Sequence, residues 1–123
     1  MMKQTTILYV DDESLNLLLF KMNFEKKFNV LTCESGQDGL ELLRQHQGIQ
    51  VVISDMKMPH MNGIEFISKA HAIAGHLNYY ILTGFEISDE IQEALDSGQI
   101  RRYFQKPFNV KEICEEIEEV IGN

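Results

Sequence analysis

Three aspartates each follow a short apolar run. Asp11 and Asp12 come directly after Ile7-Leu8-Tyr9-Val10, and Asp55 closes Val51-Val52-Ile53-Ser54. Two more polar residues stand in the same relation to later runs: Thr83 after Tyr79-Tyr80-Ile81-Leu82, and Lys106 just beyond the stretch from Ile100 to Phe104. Carboxylates crowded together repel unless a cation or protons compensate. Hard oxygen ligands, with room left for waters and a phosphate, suit Mg²⁺ better than zinc. A carboxylate can also attack a phosphoryl group and become an aspartyl phosphate. Metal, Lys106 and Thr83 would then neutralise or hydrogen-bond the incoming oxygens. Each residue has a plainer reading: Asp12 as a turn residue, Asp55 or Thr83 as a helix cap, Lys106 as a surface lysine. One shared site accounts for all five together.

Such a site exists only if the apolar runs are neighbouring strands. The pattern predicts strands at 7–10, 28–33, 51–55, 79–82 and 100–104. Between them lie helical patterns: about 14–26, with Ser14 as its cap and Leu15, Leu18, Leu19 and Met22 as its stripe; 36–46; and one from Ile64 closed by Gly75. A further stripe of Ile87, Ile91, Ala94 and Leu95 stops near Gly98, and a last helix covers about 109–121. Strand and helix in alternation imply an α/β fold, a parallel sheet with helices on both faces. Ligands of such sheets gather at the carboxyl ends of the strands, where Asp11, Asp12, Asp55, Thr83 and Lys106 all fall.

The 123 residues suit one domain, 1–123, and the formal net charge of −8 argues against a nucleic-acid surface. Cys33 and Cys114 are isolated, lack metal-binding spacing, and read as small buried hydrophobes of a reducing compartment. The N-terminus lacks a signal-peptide core and no apolar run is long enough to span a membrane, so a cytoplasmic location is expected. The charged run from Lys111 to Glu119 reads as a solvated helix face. His46, His60, His71 and His76 read as surface residues without a role.

Four pieces, LYVDDE, SDMKMPHMNG, ILTG and YFQKPF, stand in one order along the chain. With them the chain resembles, over its whole length, the receiver domain of bacterial two-component response regulators. The resemblance implies a flavodoxin-like fold: a five-stranded parallel sheet of order 2-1-3-4-5 with five helices. It implies Asp55 as phosphoacceptor, Asp11 and Asp12 holding Mg²⁺ with it, and the main-chain carbonyl near Lys57 completing the metal site. Thr83 and Lys106 would contact the phosphoryl group, Thr83 and Tyr103 would act as the switch, and the Lys106-Pro107 bond is often cis in the family. The partners implied are a sensor histidine kinase or histidine phosphotransfer protein and an unidentified output partner, with a phosphorylation-dependent homodimer as one outcome. No direct nucleic-acid or membrane binding is implied. The chain would catalyse only its own phosphorylation and dephosphorylation. Gly84 stands where the family often has alanine, and Lys57 and Phe85 occupy positions that influence hydrolysis.

Three rivals remain. A receiver-like interaction module that is never phosphorylated would not need the intact site. An aspartate-nucleophile phosphatase of the haloacid dehalogenase type would use Glu13 two residues after Asp11, but no cap domain or further acidic motif is apparent. A flavodoxin-like cofactor binder should carry a Ser-, Thr- and Gly-rich phosphate loop, where Asp11-Asp12-Glu13 would instead repel phosphate. The chain is expected to be either a stand-alone regulator or a piece of a longer protein.

Overall fold

Val, Ile, Leu and Tyr runs without polar alternation can form strands only where both faces are covered. The computed structural model, which describes residues 5–84 and 87–122, has this arrangement. Five strands, β1 (Thr6–Val10), β2 (Asn29–Cys33), β3 (Ile49–Asp55), β4 (Asn78–Thr83) and β5 (Arg102–Gln105), form one sheet in the order β2-β1-β3-β4-β5. All neighbours pair in parallel. Five helices alternate with them: α1 (Ser14–Phe24), α2 (Gly36–Gln45), α3 (Gly63–Ala74), α4 (Asp89–Asp96) and α5 (Val110–Val120). Residues of β1 and β3 divide between two cores by the two-residue strand period. Ile7, Tyr9, Val51 and Ile53 pack with α1 and α5. Leu8, Val10 and Val52 pack with α2, α3 and α4. The expected order and the helices on both faces are therefore observed.

The first helix corrects the sequence reading. Leu15, Leu18, Leu19 and Met22 are exposed, between 42% and 64%, while Leu17, Phe20 and Phe24 are buried. Both sets obey helical spacing, so periodicity could not choose between them. Phe20 and Phe24 bury the larger apolar surface, and their rings join Tyr9, Phe28 and Phe108 in an aromatic cluster. Ser14 is not the cap either. Glu13 holds that position without a side-chain bond.

Other boundaries move for local reasons. β5 starts at Arg102 because the amides of Gln99 and Ile100 still bond the Ala94 carbonyl, finishing the turn after α4. Gly98, at φ +79°, makes that turn in the left-handed region. Ile87 precedes α4, whose cap is the Ser88 hydroxyl accepting from the Ile91 amide. The acidic run on α5 is only partly a solvated face. Glu112 and Glu116 hold Arg102 at 2.9 and 3.0 Å, and the Tyr80 hydroxyl donates to Glu116. Cys114 is buried and Cys33 only half-buried, burial pushing the Cys33 thiol up to about 12, so neither is a reactive thiolate at neutral pH. His71 departs from its expected surface role: it is half-buried, its Nε2 is 2.8 Å from the Gln99 carbonyl, and its ring lies on Tyr79.

Core and exposed positions on α1 should differ sharply in urea unfolding. Phe20→Ala should cost about 3–5 kcal/mol, whereas Leu18→Ser and Met22→Ser should each stay within about 0.5 kcal/mol. Comparable losses from both classes would show that the buried face is wrongly assigned.

Candidate functional site

The chain leaves β1 toward β2 and returns to β3 on the other side, so a crevice opens between the carboxyl ends of β1 and β3. Asp11 and Asp55 stand at those two ends, 0% and 6% exposed, with exposed Asp12 beside them. The three carboxylates bring ligand atoms within 4.8 Å of one another. Lys106 reaches in from the end of β5, its Nζ 2.8 Å from Asp55 Oδ1 and 3.8 Å from Asp11 Oδ2. Thr83, 1% exposed at the end of β4, accepts the Lys106 amide on its carbonyl at 2.8 Å, which ties the two strand ends together. Asp12, Asp55, Lys57, Thr83, Gly84 and Lys106 line one open cleft of about 420 Å³. The Lys106-Pro107 bond is cis.

The loop after Asp55 is shaped by one glycine. A Cβ at Gly63 would collide with the Asp55 carbonyl oxygen, a backbone contact that cannot yield. Gly63 therefore lets α3 start against β3, and its amide donates to the Met56 carbonyl at 2.9 Å. Asn62 and Glu65 close the start of α3 with a reciprocal capping box. His60, at φ 68°, takes the left-handed turn between them and β3.

Electrostatics follow from this crowding. Burial pushes the Asp55 carboxyl above its ordinary value; the Lys106 hydrogen bond opposes this, and Asp11 and Asp12 add to it. Burial works against the Lys106 charge, yet its hydrogen bond and attraction to Asp55 hold the ammonium above its usual range. Three carboxylates thus crowd around the Lys106 ammonium, which bonds Asp55 and lies near Asp11.

Tyr103 lies outside this cleft. It is half-buried against the α2–α4 core and lines a separate depression of about 390 Å³ with Leu95, Arg102, Gln105 and Glu112. Phe85 falls outside the described residues. Two groups that bond the cluster were passed over in the sequence: Tyr9 and Asn16, both donors to Asp11 Oδ2. Strand period could have found Tyr9, which is two residues before Asp11 and so on the same face. Nothing local marks Asn16.

The raised Asp55 carboxyl has a consequence for metal-free protein. In the fold it holds its proton more tightly than in the unfolded chain, so its contribution to stability is full below 3.8 and lost as pH rises through the folded value. With EDTA present, Asp55→Asn should therefore melt above wild type at pH 7, and the gap should narrow as pH falls toward 4. A gap that is constant with pH, or of opposite sign, would contradict this account of Asp55.

Comparison with known proteins agrees with the geometry. The family profile described as the response regulator receiver domain matches residues 7–118. The chain is 31% identical over 120 residues to a chemotaxis protein CheY homolog of Campylobacter jejuni, covering 94% of this chain and 92% of that one. The hydrogenase transcriptional regulatory protein HoxA of Cupriavidus necator is 28% identical over 86% of this chain, which spans only 22% of that regulator. Several other curated relatives are likewise spanned for less than a quarter of their length. A response regulator receiver domain protein from Clostridium thermocellum superposes with a TM-score of 0.88 at 33% identity, covering 95% of this chain and 94% of that one. An acidic cleft at the switch point of a 2-1-3-4-5 sheet and a profile match over nearly the whole chain lead to one conclusion: this chain belongs to the response regulator receiver domain family.

Proposed function

We propose that the chain is a phosphorylation-controlled signalling switch that takes a phosphoryl group onto Asp55 from a sensor histidine kinase or histidine phosphotransfer protein. The observation that carries this reading is Asp55 itself, a buried carboxylate bonded to Lys106 at 2.8 Å, opening on a cleft it shares with Asp12 and within reach of the buried Asp11 carboxylate. In the transfer an Asp55 carboxylate oxygen forms a bond to phosphorus while the bond from phosphorus to the donor nitrogen breaks, its electron pair staying with the imidazole. Lys106 would move from the Asp55 oxygen to a phosphoryl oxygen, and the Thr83 hydroxyl would bond another.

The donor set fits a hard divalent cation: three carboxylates, ligand atoms within 4.8 Å, and an open side toward solvent for waters. Asp11, Asp12 and Asp55 would hold Mg²⁺ with the Lys57 main-chain carbonyl. When bound, Mg²⁺ neutralises charge on the phosphoryl oxygens. The switch reading for Thr83 and Tyr103 is supported by their register. Ile81, two residues before Thr83, pairs with Tyr103, whose half-buried ring borders open space. A protein donor is supported by the exposed Leu15, Leu18, Leu19 and Met22, an apolar face that begins three residues beyond Asp12. No helix among the described residues is long and apolar enough to cross a membrane. The chain catalyses its own phosphotransfer and works as a signalling module rather than a turnover enzyme.

Acetyl phosphate with Mg²⁺ should add about 80 Da to the wild-type chain, read by intact mass, and Asp55→Asn should stay unlabelled. Equal, stable labelling of both proteins would place the phosphoryl group elsewhere.

A further inference from the structure

The acidic cluster is supported from inside the core by a phenol. Tyr9 is 1% exposed, and its hydroxyl donates to Asp11 Oδ2 at 2.6 Å. Its ring stacks on Phe20 at 4.1 Å with 13° between planes, and Phe20 is itself packed on Phe24 and Phe108 at 4.4 and 5.6 Å. The phenol is therefore held in place by its packing before it bonds anything. The other groups at Asp11 are weaker anchors. The Glu13 amide donates to Oδ1 at 3.0 Å, the Asn16 amide to Oδ2 at 3.2 Å, and the Lys106 ammonium stands 3.8 Å from Oδ2.

We propose that Tyr9 is a positioning residue for divalent-cation binding: its hydroxyl fixes the Asp11 carboxylate, so that the cluster stays open to a cation instead of closing onto Lys106. This role rests on the Mg²⁺ reading given above. Lys106 stands between the two buried carboxylates of the cluster, Asp11 and Asp55, which compete for its ammonium. An Asp11 free to rotate would follow the Coulomb gradient to Lys106, and a cation would then have to break that pair before binding. The short phenol bond commits Oδ2 and leaves Lys106 on Asp55 at 2.8 Å. One effect runs the other way, because a carboxylate relieved of a donor offers more charge to a cation. Orientation wins, since Mg²⁺ demands near-ideal octahedral geometry. Partners that orient metal ligands typically carry about 10–100-fold in affinity.

Tyr9→Phe removes only the oxygen and keeps the stack on Phe20. Mg²⁺ titrations by calorimetry on wild type, Tyr9→Phe, Asp11→Asn and the double variant separate positioning from a general packing role. Tyr9→Phe should bind Mg²⁺ about tenfold more weakly, and should cause no further loss once Asp11→Asn is present. Equal affinity in wild type and Tyr9→Phe would overturn the proposal, as would a tenfold loss that persists in the Asp11→Asn background. A second measurement needs no variant. The buried Tyr9 hydroxyl proton should shift in NMR spectra of the wild type on Mg²⁺ saturation, and a resonance that stays put counts against the role. Wild type that binds no Mg²⁺ would overturn both the metal reading and this role, whereas acetyl phosphate labelling lost only in Asp55→Asn would leave the phosphoacceptor reading standing.

Discussion

The structure depends on holding two buried carboxylates, Asp11 and Asp55, against each other with one ammonium between them. Repulsion of that kind relaxes when the strand ends splay, and here each end is tied to its neighbour. The Asp11 amide bonds the Cys33 carbonyl, the Met56 amide bonds Leu82, and the Lys106 amide bonds Thr83. These three backbone bonds link β1 to β2, β3 to β4 and β4 to β5 at the rim where the charges sit. Beneath them the two central strands that carry the charges, β1 and β3, are nearly free of solvent contact, with Ile7, Leu8, Val51, Val52 and Ile53 fully buried. Apolar burial of that extent supplies the stability against which a charged, unrelaxed rim can be maintained.

The two faces of the sheet then serve the rim differently. The face toward α1 and α5 carries Tyr9, which stacks on Phe20 of α1 and meets the acidic cluster from below through its hydroxyl. The face toward α2, α3 and α4 carries the half-buried Tyr103. β4 and β5 connect the two, because Thr83 pairs with Gln105 and Ile81 with Tyr103 in one parallel register. On the function proposed above, this continuity would act as a switch if a phosphoryl group on Asp55 bound one arrangement of these residues better than the other.

Much of this was legible in the chain. Apolar runs ending in Asp11, Asp55 and Thr83, alternating with helical stripes, specified a parallel sheet and put the polar residues on one rim, because strand and helix periods are local properties. Asn62-Gly63 marked a turn, but only the fold gives its reason: a backbone oxygen where a side chain would have to be. Glu112 and Glu116 looked like part of a solvated run until β5 brought Arg102 across to them.

The first helix divides the two kinds of information. Its sequence, SLNLLLFKMNF, determines a helix, since leucine, methionine and lysine favour one and no proline interrupts it. It does not determine which side is buried, because Leu15, Leu18, Leu19 and Met22 keep helical spacing as well as Leu17, Phe20 and Phe24 do. Tertiary structure made that choice. β1 presents Tyr9 and the chain beyond Pro107 presents Phe108, and only the phenylalanine side of α1 meets those rings at stacking distance. The decision was made by partners distant in sequence, which the helical period cannot register.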